Sequence, residues 1–250
     1  MANIKKHGTQ DWADITVNCC TGCSHDCVYC YAKGMAYRFR QVPPGQWPTE
    51  RVRPQDAARS YRRYPGTVMF PSSHDITPAT LQACLRVLEN LLQAGNQVLV
   101  VSKPHLDCIQ AVCRNLGSYR DQILFRFTIG ARDGAVLSFW ESGAPTYAER
   151  VACLQYAHEE GFETSVSIEP MLDSANIDLL VAELMPHVTE TIWIGKMNHL
   201  GRLAKGASAE LLTAIEDIRA GQTDLIIRAI HARHKANPAI RWKDSIRRVV

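Results

Sequence analysis

The sequence contains no long apolar run, no low-complexity tract and no repeat with a regular period. No apolar segment approaches the roughly 20 residues that a membrane-spanning helix requires, so we expect no transmembrane segment. The first eight residues lack the apolar core of a secretory signal peptide. Because the nine cysteines are also odd in number, we expect a reducing, cytoplasmic setting rather than a framework of disulfides.

The sequence also lacks a strong excess of charge, since 28 Lys and Arg stand against 25 Asp and Glu. The basic residues are nevertheless concentrated in two stretches. Residues 33–63 contain only Glu50 and Asp56 as acids, and residues 228–248 contain only Asp244. Such stretches attract nucleic acids or anionic small molecules, or they form a solvated surface, and composition leaves both interpretations open.

Three cysteines lie close together near the start of the chain. Cys23, Cys27 and Cys30 form the pattern C-x3-C-x2-C, which favours convergence on one metal centre. Four cysteines would complete the ligands of an iron–sulfur cluster. Three leave one coordination position open, and an open position lets a metal act on another molecule.

Two other interpretations of the cysteines are weaker. Cys20, Cys23, Cys27 and Cys30 could form the two halves of a zinc site, but zinc ribbons place a dozen or more residues between the halves. Only residues 24–26 intervene here. A disulfide knot would require an oxidising compartment. The spacing therefore favours a redox-active cluster.

Strand-like and helix-like segments alternate along the chain, which predicts parallel β/α units. The predicted strands cover residues 14–18, 67–70, 97–102, 122–129, 162–169 and 190–195. The predicted helices cover residues 29–38, 55–64, 78–94, 106–116, 146–160, 175–184 and 207–219. A partial barrel and a doubly wound open sheet both fit this order. We expect a single α/β domain over 1–250, with a core at about 13–200 and a basic, partly helical extension at about 206–250.

Polar side chains on two predicted strands favour the barrel. Arg126 and Thr128 alternate with phenylalanines, and Ser165, Ser167 and Glu169 alternate with Thr164, Val166 and Ile168. Residues of alternate parity face opposite sides of a strand, so these side chains share one face. We therefore predict a partial (β/α)6 TIM-type barrel with a polar, ligand-filled interior. An internal Arg126–Glu169 ion pair without a ligand is the alternative.

Polar residues also follow the predicted strands, where β/α barrels carry their active sites. They comprise the cysteine loop, Ser72, Ser73, His74, Asp75, Ser102, Lys103, Thr128, Glu169, Lys196 and Asn198. Cys19 and Cys20 lie at the end of the first strand, where a thiol could donate a hydrogen atom, bind substrate or hold a second metal. We predict that the remaining cysteines, Cys84, Cys108, Cys113 and Cys153, are core residues.

The cysteine loop resembles a known signature. Residues 18–32 match the N-x-x-x-G-C-x-H-x-C-x-Y-C-Y-A loop of the spore photoproduct lyase-like branch of the radical S-adenosylmethionine (SAM) superfamily. Looser matches at residues 102–103, 140–150 and 167–170 extend the resemblance over roughly 16–197. The second-strand motif departs from the pattern, because residues 72–75 read SSHD where the family has glycines or Thr-Asp.

The resemblance implies a cofactor and a role for each site residue. Cys23, Cys27 and Cys30 would hold a [4Fe-4S] cluster whose fourth iron binds SAM, which is then cleaved to methionine and a 5′-deoxyadenosyl radical. The implied SAM contacts are Tyr29 with the adenine, Ser72, Ser73, His74 and Asp75 with the ammonium, Lys103 with the carboxylate, and Thr128, Ser167 and Glu169 with the ribose or substrate. Ser102 and Arg126 are further candidates for cofactor binding. Glu141 and Arg150 would pair with each other and shape a loop.

The function that follows is hydrogen abstraction from a substrate that the sequence does not identify. A nucleic-acid base would use the two basic stretches, and a small anionic metabolite would use a pocket beneath the same loops. A flavodoxin or ferredoxin would supply the electron, and no membrane would be involved. A non-enzymatic zinc or iron–sulfur protein is the alternative from a different class.

Overall fold

Nine strands are present in residues 8–250, the part of the chain that the computed structural model describes. In chain order they are Ile15–Thr16 (β1), Cys20–Thr21 (β2), Arg51–Val52 (β3), Thr67–Phe70 (β4), Gln97–Ser102 (β5), Ile123–Thr128 (β6), Glu163–Ile168 (β7), Ile192–Ile194 (β8) and Ile240–Trp242 (β9). Strands β2 and β3 form a small antiparallel pair. The other seven form one parallel sheet.

The order of the strands in this sheet identifies the architecture. They lie side by side in chain order, from β1 and β4 through to β9. A doubly wound sheet would reverse direction at a switch point, and this sheet does not. Strands β1 and β9 are its two edges, so the barrel is open. The predicted partial barrel is therefore confirmed, with seven strands rather than the expected six.

Eleven α-helices connect these strands within residues 8–250. They are Tyr31–Arg38 (α1), Pro54–Ala57 (α2), Leu81–Gln93 (α3), Leu106–Leu116 (α4), Gly134–Trp140 (α5), Tyr147–Glu159 (α6), Ile177–Leu184 (α7), Leu200–Leu203 (α8), Ala209–Gly221 (α9), Asp224–His234 (α10) and Asp244–Arg247 (α11). None of these helices is both long and apolar enough to cross a bilayer.

The main core lies between the sheet and the helices on its outer face. Helix α3 buries Leu88, Leu91 and Leu92 in this core, because leucines at such spacing lie on one face of a helix. The sheet contributes side chains of one parity, including Phe125 and Phe127 of β6. The strand side chains of the other parity, which include Arg126, face the interior of the barrel, as the sequence pattern predicts.

The C-terminal segment departs most from prediction. It was expected to be a basic extension, but Ile227, Ile230, Ile240 and Ile246 are all buried in the main core. Its strand β9 completes the sheet beside β8. Two smaller differences occur earlier in the chain. The predicted helix over 55–64 is limited to α2, and α5 was not predicted.

Candidate functional site

A cavity of ≈ 690 Å³ lies at the carboxyl ends of the strands. Five elements of the predicted site meet there, namely the cysteine loop and the ends of β4, β5, β6 and β7. The predicted site residues that line it are Cys23, Cys27, Tyr29, Cys30, Ser72, Ser73, His74, Asp75, Lys103, Thr128 and Glu169. The barrel thus brings together most of the residues that the sequence indicated.

The cysteine loop is held from one side by residues 47–53. Gly22 adopts a φ of +90°, a conformation that disfavours other residues. A Cβ atom at this position would lie 2.3 Å from the carbonyl oxygen of Thr49. The next residue, Cys23, donates its backbone N–H to the carbonyl of Trp47 at 2.9 Å. Close backbone contact therefore fixes the start of the loop.

Arg53 braces the same loop from within. Its guanidinium donates to the backbone carbonyls of Asn18 at 2.7 Å and of Cys20 at 2.8 Å. It also donates to the hydroxyl of Thr21 at 2.8 Å. This arginine belongs to the basic stretch 33–63, so part of that stretch serves internal structure rather than a solvated surface.

The three cysteines differ in burial but face one cavity. Cys23 and Cys27 are buried, and Cys30 is partly exposed at the start of α1. Burial raises the pKa of Cys27 to about 12 and also raises the pKa of Cys23. A bare thiolate is therefore disfavoured at these positions. A metal cation beside them would reverse this preference, since coordinated thiols are deprotonated.

Tyr29 is fixed by a buried ion pair behind the loop. Its hydroxyl donates to the carboxylate of Glu141, which pairs with Arg150. The Glu141 and Arg150 side chains are fully buried, and Arg150 also donates to the carbonyl of Pro145 at 2.8 Å. The predicted Glu141–Arg150 pair is thus present, and it positions a cavity residue as well as a loop.

Asp75 connects the cysteine loop to the end of β5. One carboxylate oxygen accepts hydrogen bonds from the Ser102 hydroxyl and from the backbone N–H of Lys103, the latter at 2.7 Å. The other accepts from Nδ1 of His25 at 3.1 Å. Although burial alone would raise the pKa of Asp75, His25 and the other partners hold it well below its ordinary value. Most of its acceptor capacity is therefore already used.

His25 is completely buried and does not face solvent. Because Asp75 only accepts, His25 donates from Nδ1, and its Nε2 shares a hydrogen bond with Nε2 of His105 at 2.9 Å. Burial and the neighbouring His25 lower the pKa of His105. The sequence did not single out His105.

Other residues at the end of β4 are also engaged. Asn18 accepts the backbone N–H groups of Ser72 and Ser73 at 2.8 and 2.9 Å. His74 accepts the backbone N–H of Cys19 at 3.2 Å through Nε2, and its Nδ1 donates to the carbonyl of Asp75 at 2.9 Å. Both ring nitrogens of His74 are thus hydrogen-bonded to backbone groups.

Lys103 is the unpaired cation of the cavity. No carboxylate within residues 8–250 forms an ion pair with it, and its amine lies 5.7 Å from the ring centre of Tyr29. Burial alone would lower the pKa of Lys103, but nearby Cys27, Glu141 and Asp75 raise it. A positive charge therefore faces the cavity beside the cysteines, where it can bind an anionic group.

Arg126 and Ser167 do not line this cavity. Arg126 is buried lower in the barrel, donates to the Ser165 hydroxyl at 2.9 Å, and lies 5.0 Å from the ring centre of Trp12. The alternative prediction, an ion pair between Arg126 and Glu169, is therefore wrong. The ion-pair partner of Glu169 is Lys243, at 3.5 Å.

Lys243 and Trp12 are cavity residues that sequence reasoning missed. Lys243 is 1% exposed and donates to the carbonyl of Gly8 at 2.7 Å. It also pairs with Asp11 at 3.3 Å. The two ends of the described chain therefore meet at this wall. A lone lysine in a basic tail carries no sequence signal for such a role.

Cys19 and Cys20 are buried but do not line the cavity. Cys19 lies in the main core with Cys84, whose thiol lowers the pKa of Cys19 to about 5. Burial raises the pKa of Cys20 to about 11. The structure thus separates these two thiols from Cys23, Cys27 and Cys30.

Comparison with known proteins identifies the fold. The sequence matches no protein-family model. It is 25% identical over 180 residues to the uncharacterized protein ORF301 of Acidianus two-tailed virus, a match that covers 67% of this chain and 58% of that protein. The chain therefore spans less than two thirds of this relative.

Three solved structures of two proteins share the architecture. Spore photoproduct lyase with its dinucleoside spore photoproduct has a TM-score of 0.55 at 15% identity, over 87% of this chain and 64% of that one. The same enzyme with bound AdoMet has a TM-score of 0.51 at 16% identity. SuiB of Streptococcus suis with its precursor peptide SuiA has a TM-score of 0.55 at 11% identity, over 92% of this chain and 48% of the SuiB chain. The chain thus has the fold of two radical SAM enzymes.

Proposed function

We propose that the protein is a radical SAM enzyme that binds a [4Fe-4S] cluster through Cys23, Cys27 and Cys30. The observation that carries this proposal is the placement of these three thiols and the unpaired Lys103 on one cavity of ≈ 690 Å³. A cavity of this volume lies within the usual range for cofactor sites. The shared fold supports the enzyme class, and the specific reaction rests on the site.

The cysteines fit a cluster better than a single zinc ion. Cysteine sulfurs around zinc lie ~3.8 Å apart, as tetrahedral geometry requires. Within residues 8–250, the one set of three potential ligand atoms within 4.8 Å of one another belongs to Cys23, His25 and Asp75. The sulfurs of Cys23, Cys27 and Cys30 are therefore more widely spaced, which suits ligands that each bind a different iron atom.

When bound, the cluster would supply one electron to SAM and so release methionine and a 5′-deoxyadenosyl radical for hydrogen abstraction. The tasks of the protein are to orient SAM and to exclude competing reactions. Lys103 would bind the SAM carboxylate, and Tyr29, fixed by Glu141, would support the adenine. Thr128 and Glu169 line the cavity where the ribose or substrate would lie. Because Asp75 is largely engaged, we assign it to positioning the cysteine loop.

Two substrate classes follow from the site, and we rank them. Spore photoproduct lyase carries a dinucleoside substrate and SuiB a precursor peptide, so the fold accommodates substrates of different chemistry. We favour a small anionic molecule, because part of the basic stretch 33–63 is used internally by Arg53. Modification of a nucleic-acid base is the second candidate. A cytoplasmic flavodoxin or ferredoxin would be the electron donor.

Anaerobic reconstitution with iron and sulfide tests the proposal. The wild type should turn brown, bind about four iron atoms and convert SAM to 5′-deoxyadenosine once reduced with dithionite. Separate replacements of Cys23, Cys27 and Cys30 by alanine should abolish both properties, and Cys113→Ala, a core cysteine of α4, should retain them. A colourless wild-type protein that binds one zinc ion would instead establish the zinc-binding alternative.

A further inference from the structure

A second cavity, of ≈ 380 Å³, lies at the last strand of the sheet and shares no lining residue with the cysteine cavity. We propose that it binds the phosphate group of a small molecule. Its walls include Trp193, His231, Lys235, Arg241, Trp242 and Arg247. This site is independent of the proposed radical SAM chemistry.

The charge of the lining is entirely of one sign. Lys235, Arg241 and Arg247 line the cavity together with His231, and no aspartate or glutamate of residues 8–250 does. Arg247 is balanced by Asp11 at 3.2 Å. Lys235 and Arg241 form no ion pair within the described chain. Two positive charges therefore lie beside one concave surface without a compensating carboxylate. This arrangement favours the binding of an oxyanion.

The inner wall contains a buried hydrogen-bond donor without a partner among the described residues. Trp193 lies opposite Arg241 in the sheet register, and its indole N–H is buried without a hydrogen-bond partner. Behind it, the guanidinium of Arg126 lies 5.5 Å from the Trp193 ring centre. Arg126 is 5% exposed, and no carboxylate in residues 8–250 pairs with it. A buried donor without a partner is costly, and a bound anion that accepts from the Trp193 indole would reduce that cost.

The cavity is also held in shape. Arg247 donates to the carbonyl of Trp242 at 2.6 Å as well as to Asp11. The ring of His231 lies 4.9 Å from that of Trp242. Side chains held by such contacts lose little freedom when a ligand binds. The volume admits a group up to the size of a small nucleotide.

Basic residues on an edge strand can serve another purpose, since they deter pairing with other chains. Strand β9 is such an edge. That role requires no ligand and predicts no saturable binding of phosphate. The two explanations therefore differ in a measurable way.

Titration calorimetry of the full chain with pyrophosphate, ADP and a single-stranded oligonucleotide decides between them. We expect saturable binding of pyrophosphate or ADP, weakened at least tenfold in Lys235→Gln/Arg241→Gln. The control Arg233→Gln/Arg248→Gln removes the same charge from exposed positions outside the cavity and should bind as the wild type does. Cluster loading and SAM cleavage should be unchanged in both double variants, so this test is separable from that of the proposed function.

Three results would overturn the assignment. The first is an absence of saturable binding to the wild type, which would leave edge protection as the explanation. The second is an equal loss of affinity in both double variants, which would indicate a general charge effect. The third is tighter binding of the oligonucleotide than of pyrophosphate at equal phosphate concentration, which would assign the cavity to a nucleic-acid backbone.

Discussion

The amine of Lys243, just after the last strand, lies 3.5 Å from the carboxylate of Glu169 at the end of β7. This contact joins the C-terminal segment to the wall of the cysteine cavity. Lys243 also pairs with Asp11 and contacts Trp12 at 4.1 Å from the ring centre. The segment 206–250 is therefore part of the candidate site as well as of the core.

Replacement of Lys243 by methionine should be strongly destabilising. It would leave Glu169 and Asp11 without their shared cation, and breaking a buried ion pair costs roughly 3–5 kcal/mol. Urea unfolding of Lys243→Met measures the change in the free energy of unfolding. Lys205→Met, at an exposed position, is the control and should change it by less than about 0.5 kcal/mol. Equal stability of the two variants would show that the buried pair contributes nothing.

The loss of stability in Lys243→Met, measured as the decrease in the free energy of unfolding, should also depend on pH. Burial raises the pKa of Glu169, and Lys243 opposes that increase, so the pKa should rise further in the variant. A carboxyl group whose pKa is higher in the folded state binds more protons there, and stability then falls as pH rises through that pKa. We expect a smaller deficit near pH 5 than at pH 8. A constant deficit would contradict this account of Glu169.

Sequence periodicity predicted the central fold well where strands and helices are long and apolar. Strands β4 and β5 and helix α4 have the predicted bounds, because continuous apolar runs are typical of strands buried on both faces. Strand β9 was missed because it has only three residues, one of them arginine, and gains its stability from pairing with β8. Such a strand is specified by tertiary contacts rather than by local pattern.

Sequence analysis predicted those residues of the candidate site that come directly after the end of a strand. The cysteine spacing and the polar strand ends located the cavity, but its contents also depend on contacts between distant segments. Lys243 enters from the end of the chain, and His105 is fixed by a hydrogen bond to His25 across 80 positions. Neither contact leaves a periodic signal. Arg126 has the predicted strand face, yet its depth in the barrel removes it from the cavity.

Gly143 should be essential for the position of the cysteine loop. A Cβ atom there would lie 2.3 Å from the carbonyl oxygen of Ser24 and 3.0 Å from the Cα atom of His25. Gly143→Ala should therefore displace the loop, at a cost of roughly 1–3 kcal/mol, and lower the iron content after reconstitution. Gly117→Ala, where nothing lies within 4 Å, is the matched control. Normal iron content in Gly143→Ala would mean that the loop adapts without affecting its ligands.

The hydroxyl of Tyr29 should stabilise the loop through Glu141. Tyr29→Phe removes a donor from a buried carboxylate, which costs about 1–3 kcal/mol. In Glu141→Gln the carboxylate is absent, so the same change should cost less, and a double-mutant cycle by urea unfolding measures the coupling. Tyr119→Phe is the control, because the Tyr119 hydroxyl has no hydrogen-bond partner among residues 8–250. Strictly additive effects would show that the two side chains act independently.

Lys103 should contribute to the binding of SAM and not to the binding of the cluster. A charge-assisted hydrogen bond contributes about 1.5–3 kcal/mol, so Lys103→Met should weaken SAM binding roughly tenfold to hundredfold, as equilibrium dialysis of the reconstituted protein would measure. Its iron content should remain that of the wild type, because Lys103 contributes no ligand. Lys196→Met, which removes a cavity lysine at another strand end, is the control. If Lys196→Met weakened SAM binding as much as Lys103→Met, the carboxylate could not be assigned to Lys103.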